Sequence, residues 1–125
     1  MTIAEFIGKF GALTPGARER EVEVRLAGRI VAKRDASKKL VFYDLVSGPH
    51  KVQIMFTEKE FGATSEAATA SVRELNALLR RGDVLGVRGF PARTNTGELS
   101  VIPRELVLLA PTLRDIPLPN SLTDV

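Results

Sequence analysis

The chain has 125 residues, 44% hydrophobic and 26% charged, which is enough apolar material for one compact core and rules out disorder by composition. A net charge of +3 permits a phosphate-bearing partner without requiring one. With no cysteine, disulfides, thiol catalysis and cysteine-ligated zinc are excluded, and no apolar run approaches the ~20 residues of a membrane span.

Thr2-Ile3-Ala4-Glu5 has the form of a capping box, and Ile3, Phe6, Ile7 and Phe10 follow at helical spacing, which predicts an amphipathic helix over about 3–10. The start carries neither a basic n-region nor a signal-peptide core. Thr14-Pro15-Gly16 ends the helix in a turn. From Glu21 the period changes to two: Val22, Val24 and Leu26 alternate with Glu23 and Arg25 as in a half-buried strand. Gly28 shares the core parity and suggests a bulge or sharp bend. Residues 33–39 read as a polar hairpin loop. A second strand is expected over about 40–46 and a third over about 51–56, joined by Ser47-Gly48-Pro49-His50.

Residues 64–81 carry the stripe Ala68, Val72, Leu75, Leu79 and end in Arg80-Arg81-Gly82, a helix with cations and a glycine at its C-terminal end. A fourth strand is expected over about 83–90, its regular part ended by Phe90-Pro91. A hairpin turn follows at Thr94-Asn95-Thr96-Gly97. The fifth strand, about 98–109, is interrupted by Pro103, which implies an edge or a bulge. The tail from Pro111 holds three prolines and reads as a linker. The order of helix, three strands, helix and two strands is the plan of a five-stranded antiparallel OB-fold barrel. That fold binds oligonucleotides on its strand 2–3 face and on the loops between strands 1–2 and 4–5, here residues 33–39 and 93–97.

On the second strand Asp44 is unsuited to a core position, so Phe42, of the same parity, is expected to point outward and Tyr43 inward. An outward Phe42 with an outward Gln53 beside a basic loop makes a stacking platform with a hydrogen-bonding neighbour. The alternative is that Phe42 is ordinary core, since residues 40–43 are apolar on both parities. Lys33, Arg34, Lys38 and Lys39 read either as phosphate contacts or as a solvated hairpin. Glu98 reads either as an acceptor for a base N–H or as a strand-start surface charge. His50, the one histidine, is assigned no role, and the sequence holds no Ser/His/Asp set, metal-ligand cluster or glycine-rich phosphate loop. Arg81-Gly82-Asp83 matches an adhesion tripeptide by letters only.

Together the entry helix, Ala27-Gly28-Arg29-Ile30, Leu40–Leu45, Lys51-Val52-Gln53-Ile54-Met55, Arg80–Val87 and Gly97–Ser100 resemble the N-terminal anticodon-binding domain of class II lysyl-tRNA synthetases. The Phe-Tyr-Asp-Leu and Arg-Arg-Gly-Asp forms lean towards eukaryotic members. The resemblance implies that Phe42 stacks on the central anticodon base, that Gln53 and Glu98 read its edge, that Arg34 assists, and that Lys33, Lys38 and Lys39 meet RNA backbone. It implies residues 1–110 as the anticodon-binding domain and 111–125 as a linker towards a catalytic domain. The partner is then the tRNA(Lys) anticodon stem-loop, with no membrane. The parent is a cytoplasmic homodimer that attaches lysine to tRNA using ATP and Mg, while these 125 residues are non-catalytic and need no cofactor. The same domain of an aspartyl or asparaginyl enzyme, and an OB-fold protein-interaction module, remain as alternatives.

Overall fold

The computed structural model describes residues 1–37, 39–60 and 76–110. The elements are α1 (Ile3–Phe10), β1 (Val24–Ser37), β2 (Leu40–Ser47), β3 (His50–Thr57), β4 (Val84–Arg93) and β5 (Leu99–Ala110). α1 starts as expected: the Thr2 side chain accepts from the Glu5 N–H at 3.0 Å, and Glu5 accepts from the Thr2 N–H at 2.9 Å. Its buried face, Ile3, Phe6 and Phe10, joins a core filled by Ile30, Val41, Tyr43, Leu45, Ile54, Phe56, Leu85 and Val101.

The strands close into a barrel in the order β1-β2-β3-β5-β4. All pairs are antiparallel except β3 with β5, which run parallel at Gln53↔Ser100 and Ile54↔Val101. The expected all-antiparallel barrel is therefore corrected to a mixed one. The reason is arithmetical, because directions cannot alternate all the way round a closed ring of five strands.

β1 runs on to Ser37, so residues 33–37 belong to a strand and not to the expected loop. Its irregularity is not at Gly28, which pairs regularly with Leu85. A Cβ there would lie 3.0 Å from Leu45 Cβ and 3.1 Å from Ile3 Cδ1, so glycine seats α1 on the barrel. The bulge is at Val31: Ile30 faces Leu45, but Ala32 faces Asp44. One extra residue reverses the facing of everything beyond it. Lys33 thus lies opposite buried Tyr43, and Arg34 opposite Phe42.

β2 and β3 meet through Gly48-Pro49, with Gly48 at φ 59. Proline cannot take a positive φ at the second central position, which leaves type II′ among the favoured hairpin turns. β4 continues past Phe90-Pro91 because the segment before β1 pairs with it: Glu19 N–H donates to Pro91 O, and Gly16 and Ala17 bond Arg93, all at 2.9 Å. Pro103 sits at a bulge, as expected, where Gly89 faces it and Arg104 is the extra residue. Most of the expected helix 64–81 lies outside the described residues, as does the linker 111–125. Within the described part, residues 76–78 are helical and Gly82 turns at φ 97. Asp83 is buried and accepts from the Arg80 N–H at 2.7 Å, which removes the adhesion reading of the tripeptide.

Candidate functional site

The outward-facing residues of the strands form two adjoining cross-strand rows. The first contains Arg34, Phe42 and Met55, and the second Asp44, Gln53, Ser100 and Ala92. Met55 and Ile102, with Phe90 and Ala92, make a small apolar cluster distinct from the barrel core, and Leu40 and Phe42 pack against it. Phe42 is half-buried on this floor while Tyr43 is fully buried inside, so the alternation along β2 resolves as expected. Arginines cover the aromatic rings of this face. The Arg34 guanidinium carbon lies 4.8 Å from the Phe42 ring centroid, and that of Arg104 lies 4.7 Å from the Phe90 centroid.

Gln53 departs from expectation. It is 7% exposed, not an open surface residue. The parallel β3–β5 pairing brings Ser100 beside it, and Nε2 donates to Ser100 Oγ at 2.9 Å. Arg34 Nη2 reaches Oε1 at 3.5 Å, and Ser100 Oγ donates to the Glu98 carbonyl at 3.1 Å. Gln53 and the exposed Glu98 line one cleft of about 290 Å³, whose other walls include Ile7 and Gly11 at the end of α1, Lys51 and Arg93. Thus Arg34, Phe42 and Gln53 form one contact set, and Glu98 joins it across the cleft.

The cleft's far wall was not anticipated. Arg93 donates to Gly97 O at 2.6 Å and to Gly11 O at 2.8 Å, tying the β4–β5 hairpin to α1. The hairpin is closed by Gly97 N–H to Thr94 O at 2.9 Å, with Gly97 at φ 99, and the Glu98 N–H is held by Thr94 Oγ1 at 2.9 Å. Glu98 therefore stands on a braced turn. In the sequence Ser100 stands only as the last residue of the Gly97–Ser100 stretch that carries part of the resemblance.

The basic residues divide. Lys33 is turned inward: its ammonium donates to Asn76 O at 2.8 Å and Leu79 O at 2.6 Å, capping carbonyls where the segment before β4 ends. Burial lowers its pKa, opposed by the nearby Asp35 and Asp83 charges. Beside it, the Tyr43 hydroxyl donates to Asn76 Oδ1 at 2.8 Å, and Asn76 Nδ2 donates to Asp35 Oδ1 at 2.9 Å. Burial, helped by the Asp35 charge, pushes the Tyr43 phenol well above its ordinary range. Lys39 is exposed at the β1–β2 hairpin, and Lys38 lies outside the described residues. Among the described residues no helix is long and apolar enough to cross a membrane, and no group of His, Asp or Glu is placed to hold a metal.

A family model described as OB-fold nucleic acid binding domain, of the tRNA anticodon type, matches residues 24–109. A lysine–tRNA ligase of Cladosporium cladosporioides is 37% identical over 92% of the chain and 19% of its own length. A mitochondrial lysine–tRNA ligase of Schizosaccharomyces pombe is 36% identical over 77% of the chain and 18% of its own length. A probable cytoplasmic lysine–tRNA ligase of Enterocytozoon bieneusi is 34% identical over 81% of the chain and 18% of its own length. The chain thus spans about a fifth of the length of the curated relatives it matches.

Proposed function

Because this chain belongs to the OB-fold nucleic acid binding domains of the tRNA anticodon type, we propose that it is the anticodon-binding part of a lysine–tRNA ligase and holds the tRNA(Lys) anticodon stem-loop. The observation that carries this is the contact set on the strand 2–3 face. The Arg34 guanidinium links a half-buried aromatic ring to an amide, and that amide shares a cleft with a carboxylate. A splayed-out base stacks on Phe42, and Gln53 and Glu98 read its hydrogen-bonding edge. Arg34 follows the base and its phosphate. Lys39, and Lys38 with it, meet the backbone. Lys33, already bonded to two carbonyls, is assigned to holding the fold.

Stacking contributes about 1–3 kcal/mol per base. Phosphate contacts add a term that falls steeply with salt. The parent reaction, joining lysine to tRNA with ATP and Mg in a cytoplasmic homodimer, is assigned to the part of the relatives that this chain does not span, and the 125 residues are non-catalytic. The test is binding of two anticodon stem-loops that differ only at the central base, uridine or cytidine, at two salt concentrations. A preference for uridine with steep salt dependence is expected. Binding to neither loop overturns the reading and favours a protein-interaction module.

A further inference from the structure

Gln53 is the one residue of the contact set that is nearly closed off from solvent, and its amide has two chemically different ends. Which end faces the stacked base decides what the base must offer. An oxygen accepts from a base N–H, whereas an NH2 group requires a base acceptor. Uridine and cytidine differ in this respect at N3, a donor in uridine and an acceptor in cytidine.

Two neighbours set the amide in the free domain. Arg34, which can only donate, reaches Oε1 at 3.5 Å. Ser100 Oγ has its proton committed to the Glu98 carbonyl at 3.1 Å, so towards Gln53 it can only accept, and Nε2 lies 2.9 Å away. The two constraints agree: nitrogen towards β5, oxygen towards the Phe42 ring. They differ in durability. The Arg34 guanidinium stands over that ring, where a stacked base must go. Ser100 is fully buried beneath the amide and stays in place when RNA arrives.

We propose that Ser100 is a positioning residue for base selection: by accepting from Gln53 Nε2, its hydroxyl keeps Oε1 turned towards N3 of the bound base and so favours a base that carries an N–H there. The proton it needs elsewhere is taken by the Glu98 carbonyl, so the direction of one hydroxyl links the two edge-reading residues. The inference rests on the anticodon-binding reading above.

The experiment measures dissociation constants of the domain for the uridine-centred and cytidine-centred stem-loops in four forms: unchanged, Ser100→Ala, Gln53→Ala, and both together. Thermal melts establish that each is folded. Ser100→Ala is expected to weaken the uridine loop about fivefold or more while sparing the cytidine loop, since the amide is then free to turn. In the Gln53→Ala background the same substitution is expected to leave the ratio between loops unchanged. The proposal is overturned if Ser100→Ala weakens both loops by one factor, as loosened packing would, if it changes neither, or if it shifts the ratio equally with and without Gln53. Should the unchanged domain bind neither loop, it is the anticodon reading itself that fails.

Discussion

Arg34 and Phe42 are cross-strand partners on β1 and β2, and the guanidinium lies over the ring at 4.8 Å. In the free domain the face offered for stacking is therefore covered by a planar cation. A cation–π contact at an exposed site is worth about 0.5–1 kcal/mol, less than the about 1–3 kcal/mol of a stacked base. Exchange of the one for the other is favourable.

Phe42→Leu keeps an apolar side chain on the Met55–Ile102 floor and removes the π-face. Binding to uridine- and cytidine-centred stem-loops is expected to weaken alike, by about 1–3 kcal/mol, with little change in melting temperature. Titration calorimetry on both loops checks this. A loss confined to one loop would mean that the ring acts through its edge.

Glu98→Ala and Gln53→Ala are expected to narrow the preference for uridine, each lost hydrogen bond being worth about 0.5–3 kcal/mol. Their effects on stability should differ. Glu98 is exposed, so the melting temperature holds, whereas losing Gln53 leaves the buried Ser100 hydroxyl without the donor it accepts from, and the domain melts earlier. A Glu98→Ala domain that keeps the full preference removes Glu98 from base reading.

Lys39→Ala and Lys33→Met separate a cation facing RNA from one serving the fold. The first should weaken both loops equally and flatten the salt dependence by about one unit of slope. The second removes two hydrogen bonds to Asn76 O and Leu79 O and should lower the melting temperature while leaving that slope alone. A flatter slope in Lys33→Met would return Lys33 to the RNA-binding set.

Tyr43 is the only tyrosine, so its ionisation can be read directly from tyrosinate absorbance. Burial raises its pKa above the ordinary 10.0, so the folded phenol keeps its proton where the unfolded chain releases it. More protons on the folded state means that stability falls as pH rises past 10.0. Absorbance is expected to appear together with loss of the folded circular dichroism signal, and Tyr43→Phe should abolish this component. Tyrosinate that forms while the fold persists, with an ordinary midpoint, would contradict the burial of the ring.

Period-two alternation carried Phe42 and Tyr43 correctly because the competing signals, Asp44 and Leu45, lie in the same strand. The resemblance assigns Arg34 to the site and Lys33 to the RNA backbone, but Ile30-Val31-Ala32 gives no sign of a bulge, and with Val31 paired regularly the two would exchange faces. Gln53 takes the parity opposite to Val52 and Ile54, which points it outward as expected; what covers it is Ser100, 47 residues away and brought close by a parallel pairing that no local pattern encodes. The same holds for Arg93, whose acceptor Gly11 lies 82 residues earlier. Local physics was legible, while contacts made by barrel closure were not.

The extra residue at Val31 makes the binding face depend on strand pairing more than on side-chain identity. The Val31 side chain is exposed, so many residues are acceptable there. Deleting the position would join Ile30 to Ala32 and keep Lys33 opposite Tyr43 and Arg34 opposite Phe42, whereas pairing Val31 regularly with Asp44 would turn Arg34 into the barrel and bring Lys33 out over Phe42. Whether a flat guanidinium or a flexible ammonium stands at the stacking ring is thus decided by one unpaired backbone position, three residues before the cation it places.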